Sequence, residues 1–103
     1  MTDHIEKIHE LLRKMPDDSF LKHALALEYI KAGNDAEARR LFEEILTGDE
    51  NFVGSYYHLG RLLERNNENA LAITWYEKGM QAAKKANEIR TYNELRTAYE
   101  ELI

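Results

Sequence analysis

Apolar residues recur at three- and four-residue spacing: Leu25 and Tyr29, then Ala38, Leu41, Phe42 and Ile45, then Leu59, Leu62 and Leu63, then Ile73, Tyr76 and Met80. Polar side chains fill the positions between. This is the period of amphipathic helices, each turning one stripe inward. Breakers are scarce, with Pro16 the only proline and five glycines in all, which favours helices over a turn-dense β fold. The pattern predicts six helices, roughly 3–14, 17–32, 35–47, 52–66, 69–85 and 87–102. Asp3 with Glu6, and Asn34 with Glu37, read as helix starts with an acidic residue three further on. Asp17 and Asn51 read as caps of the second and fourth helices. Gly33 and Gly48 read as C-terminal stops, where a left-handed backbone costs glycine little.

Displacing the sequence by 34 positions superimposes Leu25 on Leu59, Ala26 on Gly60, Ala36 on Ala70, Ala38 on Ala72, Phe42 on Tyr76 and Glu43 on Glu77. A period of this length marks a repeat architecture in which each unit is a helix pair. Four segments follow: a half-repeat helix (1–16), two full repeats (17–50 and 51–85) and a terminal helix (86–103).

The positions resemble the tetratricopeptide repeat, whose pattern runs W-x2-L-G-x2-Y, then A-x3-F, then P. Lys22, Leu25, Ala26, Tyr29, Ala38, Phe42 and Glu50 match it in the first repeat; Tyr56, Leu59, Gly60, Leu63, Ala72, Tyr76 and Lys84 match it in the second. Lys22 departs from the aromatic, and neither repeat ends in proline. Ile8 and Pro16 fit the second half of a preceding repeat. Tyr92, Leu95, Arg96 and Tyr99 repeat the opening pattern after a two-residue insertion, with Arg96 where a small residue is usual. A polar terminal helix of this kind solvates the end of a solenoid. The resemblance is greatest to short stand-alone bacterial members. It implies an all-α, right-handed superhelix of antiparallel helical hairpins. The expected buried set is Leu25, Ala26, Tyr29, Ala38, Phe42, Leu59, Gly60, Leu63, Ala72 and Tyr76. Ile89, Tyr92, Leu95, Tyr99 and Leu102 are expected to form the seam of the last helix.

Charge and composition narrow the function. The formal net charge is −5, which disfavours non-specific binding to nucleic acid or an anionic membrane. The modest basic stretch of Lys84, Lys85, Arg90 and Arg96 reads as a solvated face. No apolar run reaches the ~20 residues of a membrane helix, and the first ten residues have no signal-peptide core. Cysteine is absent, so disulfides and Cys-based zinc or nucleophile chemistry are excluded. The expected setting is cytoplasmic. His4 and His9, five apart, face different sides of a helix, and no H-E-x-x-H, G-x-S-x-G or phosphate-binding loop occurs. No cofactor and no enzyme activity are expected. A metal-binding protein or enzyme centred on His23 and His58, with Glu64 beside them, is the alternative of another class.

In the resembled family the first helix of each repeat lines a concave groove that holds a peptide or protein. Carried over by position, that groove takes Phe20, His23, Leu27 and Ile30 from the first repeat. The second supplies Gly54, Tyr57, Arg61 and Glu64; the terminal helix supplies Arg90, Asn93, Thr97 and Glu100. The family's carboxylate clamp uses Lys and Asn, whereas His23, Leu27, Tyr57 and Arg61 stand here, so that clamp is not expected. Tyr57 follows core residue Tyr56 and is expected on a solvent face as the main anchor. Arg61 and Glu64 are spaced for an i,i+3 pair. The alternative within the binding class is a homodimer covering the apolar edge of Phe20, Leu27 and Ile30.

Overall fold

The structure is a computed structural model that describes residues 2–103, the side chains of Thr2 and Asp3 excepted. Six helices and no strand occur among the described residues: α1 (Thr2–Lys14), α2 (Ser19–Lys31), α3 (Asp35–Gly48), α4 (Gly54–Arg65), α5 (Asn69–Lys85) and α6 (Ile89–Leu102). They form two compact units, Met1–Asp49 with α1 to α3 and Glu50–Ile103 with α4 to α6. Short turns within each unit fold every helix back along its predecessor, giving the antiparallel hairpins the repeat pattern requires. No described helix is long and apolar enough to cross a membrane.

The helix ends follow local hydrogen bonding. Asn34 caps α3 as expected, its side chain accepting from the Glu37 N–H at 3.3 Å. Glu37 does not reach back to complete a capping box, because its carboxylate pairs with Arg40. At α2 the cap is Asp18, not Asp17: it accepts from the Leu21 N–H at 2.9 Å. The turn after Pro16 needs the extra residue, since the Asp18 N–H is itself bonded to the Met15 carbonyl at 3.2 Å. At α4 the N-cap position lies two residues past Asn51. Val53 holds the N-cap position without a side-chain bond, and the Tyr56 hydroxyl fastens the approach by donating to the Glu50 carbonyl at 2.6 Å. The expected cap at Asp3 rests on a side chain outside those described.

Gly33 takes a left-handed backbone with φ 80°, as expected of a helix stop. Gly48 does not. It is the last residue of α3, and Asp49 closes that helix. Asn67 (φ 62°) and Asn87 (φ 59°) end α4 and α5 instead; asparagine is the residue that best tolerates this region after glycine.

In the first unit Leu25, Ala26, Ala38, Leu41, Phe42, Ile45 and Leu46 are buried. In the second, Val53, Tyr56, Leu59, Leu62, Leu63, Ala72, Tyr76, Ala83, Leu95 and Ala98 are, with Gly60 among them. A Cβ on Gly60 would stand 2.1 Å from the Tyr76 ring, so α4 and α5 meet at this position only because it is glycine. Gly79 does the same for α6, where a Cβ would lie 3.0 Å from Leu95 Cδ1 and 2.6 Å from Tyr56 Cβ. Two core expectations need correction. Tyr29 is half-buried, its hydroxyl 3.2 Å from His9 Nε2. Ile89 is 73% exposed, because it opens α6 on the side turned to solvent. Leu95 is fully buried, while Tyr92, Tyr99 and Leu102 are half-buried.

Candidate functional site

Tyr57, Arg61 and Glu64 stand at i, i+4 and i+7 on α4, a spacing that places them on one stripe. The Arg61 guanidinium lies 5.5 Å from the Tyr57 ring centroid, a cation–π contact. One of its nitrogens is 3.5 Å from Glu64 Oε2 and 3.6 Å from Glu101 Oε1, so the side chain links α4 to α6. The expected i,i+3 pair is therefore present within a larger cluster. Both pairs are partly exposed and contribute little stability, about 1 kcal/mol at most. Their effect is to hold the guanidinium in place.

Beneath this stripe lies Tyr76 of α5, whose buried hydroxyl donates to Glu64 Oε2. Burial, then the bond to Glu64 and its charge, push the Tyr76 hydroxyl well above its ordinary range. It remains a donor, fixing the Glu64 carboxylate from below. The Tyr57 ring sits 6.5 Å from that of Tyr76 and 5.9 Å from that of His58. Tyr57 is thus half-buried, not on an open solvent face as its neighbour Tyr56 suggested. Its ring lies against Tyr76, so part of its role is packing.

The other candidates are distributed as follows. Asn93 and Thr97 are exposed on α6, about two turns and one turn before Glu101, and the Thr97 hydroxyl donates to the Asn93 carbonyl at 2.9 Å. Gly54, Arg90 and Glu100 are exposed. In the first unit Phe20 is 73% exposed. His23 is half-buried with its ring 5.6 Å from that of Phe42, edge to face. Leu27 and Ile30 are half-buried, and Leu27 lines a shallow groove between α1 and α2 with Ile8 and Ala24. Burial lowers the pKa of half-buried His58, against an opposing pull from Glu94. No group of three or more His, Asp or Glu among the described residues is arranged to hold a metal ion.

Tyr76 and Glu101 join the site beyond the residues that the sequence points to. Tyr76 carried a readable signal: it replaces the phenylalanine of the first repeat, and a buried phenol needs a partner for its hydroxyl. Glu101 carried none, since its meeting with Arg61 depends on how α6 packs.

No family model matches the chain. The similarity to solved structures is extensive. A tetratricopeptide repeat domain protein from Salinibacter ruber is 38% identical, with a TM-score of 0.80 covering 82% of this chain and 94% of that one. The chain belongs to the tetratricopeptide repeat family. The TPR2B domain of yeast Sti1, solved in complex with pHsp70, superposes with a TM-score of 0.87 over 95% of this chain and 78% of that one, at 18% identity. Among curated proteins, the human aspartyl/asparaginyl beta-hydroxylase is 27% identical over 75 residues and the mouse protein 25%. The chain spans about a tenth of the length of these curated relatives (10% of each).

Proposed function

We propose that the chain is a protein-interaction module that captures an extended peptide or protein segment on the α4–α6 face. The observation that carries this reading is the guanidinium of Arg61 fixed over the Tyr57 ring at 5.5 Å, with Glu64 and Glu101 beside it. Tyrosine and arginine are the residue types enriched where binding energy concentrates. A ligand suited to them presents a carboxylate or carbonyl to Arg61 and a bulky apolar side chain to Tyr57. Asn93 and Thr97 border the face, and Phe20, His23, Leu27 and Ile30 give α2 an apolar stripe of its own. That the TPR2B domain of Sti1 was solved in complex with pHsp70 supports a protein or peptide partner. On this reading the chain binds, without cofactor, and does not catalyse: the cluster couples a ring, a cation and carboxylates already held by donors. A cytoplasmic setting belongs to the same reading.

Affinity capture followed by mass spectrometry tests it. Tyr57→Ala and Arg61→Glu are each expected to lose the proteins that the parent retains, a cost of about 2 kcal/mol or more. Arg40→Ala, on an α3 side chain paired with Glu37 and Glu44, serves as control and retains them. Because Tyr57 lies against Tyr76, Tyr57→Phe is included to separate lost packing from lost binding. Full retention by Tyr57→Ala and Arg61→Glu would overturn the proposal.

One observation favours a second reading, self-association. Phe20 (73% exposed), Met15 (48%) and Leu11 (43%) leave an apolar edge around the α1–α2 turn. Light scattering across a concentration series then shows a dimer that Phe20→Glu dissolves; a monomer throughout removes this reading.

A further inference from the structure

The hairpin of α4 and α5 has a counterpart that α6 lacks. Aligning Tyr92, Leu95, Arg96 and Tyr99 with Tyr56, Leu59, Gly60 and Leu63 places Arg96 where Gly60 stands. Gly60 faces Tyr76 of α5, and that helix covers this side of α4. The equivalent side of α6 is covered by no described helix. Arg96 there is exposed, and a groove between α5 and α6 is lined by Met80, Tyr92 and Tyr99 with Lys78 and Lys84 at its margin.

The charges on this groove are unspent. Lys22, Lys31, Arg39, Arg40 and Arg61 each meet a carboxylate within 4.0 Å. Lys84 and Arg96 meet none among the described residues, and Lys78 lies over the Trp75 ring at 4.7 Å. Glu77 is the single acidic residue of the lining. An acidic chain thus keeps Lys78 and Lys84 on the lining of one apolar strip, with Arg96 exposed on α6 between Tyr92 and Tyr99.

We propose that this groove docks an acidic amphipathic helix of a partner protein, lying along α6 as α5 lies along α4. Met80, Tyr92 and Tyr99 take its apolar stripe; Lys84 and Arg96 take its flanking carboxylates. A second copy of this chain fits less well. His4 stands in α1 at the position of Ala38 and Ala72, so a head-to-tail copy would set an imidazole against Arg96 where both complete hairpins have small residues.

The test uses two synthetic helical peptides of about the length of α6 (14 residues), with leucine at i, i+3, i+4 and i+7. One carries glutamate on both flanks, the other lysine. Binding is followed by calorimetry and by the emission of Trp75, the only tryptophan, which reports on Lys78. The glutamate peptide is expected to bind one to one, weaken with salt, and exceed the lysine peptide by about tenfold or more. The double variant Lys84→Glu, Arg96→Glu should reverse that preference, while Arg40→Glu, on α3 in the other unit, leaves it unchanged. Both substituted side chains are exposed, so circular dichroism should match the parent. Equal binding of the two peptides, no binding of either, or a preference that the double variant fails to reverse overturns the proposal. So does displacement of the glutamate peptide by a single-stranded oligonucleotide, or a dimer in sedimentation that the double variant abolishes.

Discussion

At Gly60 the missing Cβ lets two helices meet: any side chain there enters the space of the Tyr76 ring, 2.1 Å away. Tyr76 cannot retreat, since it is fully buried and its hydroxyl is held by Glu64. Gly60→Leu should therefore lose roughly 1–3 kcal/mol through overpacking, seen as a lower denaturation midpoint with circular dichroism. A parent-like midpoint would mean that the contact yields easily. Tyr76→Phe removes only the hydroxyl, leaving the ring in place and Glu64 without its donor from below. A loss of about 1 kcal/mol is expected, with weaker capture of ligand because Glu64 no longer steadies Arg61. Unchanged stability and capture would show that Arg61 is held by Glu101 alone.

Helices as elements were legible because their apolar period survives every local exception; their ends were less so. Gly33 is a stop that its residue type announces and Gly48 is not one, while the stops Asn67 and Asn87 lie in polar runs where asparagine is unremarkable. The cap at Asp18 was missed by one residue because two adjacent aspartates offer the same side chain and only the turn after Pro16 decides between them. The left-handed stops make a direct measurement available. Asn67→Gly should keep or slightly raise stability, and Asn67→Ala should lower it by up to about 1 kcal/mol, since alanine bears the Cβ cost of this region without the short polar side chain by which asparagine offsets part of it. Equal midpoints would mean that α4 frays before residue 67. The terminal helix is the larger test. Ending the chain before Asn87 removes Leu95 and Ala98 from the second unit and uncovers Gly79 and Tyr56. Aggregation or loss of cooperative unfolding should follow; a soluble truncation with the parent melting curve would make α6 an appendage.

For the molecule as a whole, the repeat period revealed which residues are internal, but not which exposed groups meet. Arg61 finds Glu101 and Tyr57 rests on Tyr76 through the packing of α5 and α6, which no local spacing encodes. That same packing sets the response of stability to pH. Burial lowers the pKa of His58 below its ordinary 6.5. The folded state thus favours the neutral ring, and this contribution is complete above pH 6.5 and is lost as pH falls through the folded value. Tyr76 behaves oppositely: its pKa is raised above 10.0, so its contribution is complete below pH 10.0 and erodes above it. Glu44, held down by its bond to Lys22, weakens the fold only below its ordinary 4.5. The melting temperature should accordingly be level between pH 6.5 and 10.0, and between pH 6.5 and 4.5 its first decline belongs to His58. His58→Gln, which cannot titrate, should flatten that acidic shoulder while leaving the alkaline fall in place. A shoulder that persists in His58→Gln would show that desolvation of His58 is not what the fold feels as acid is added.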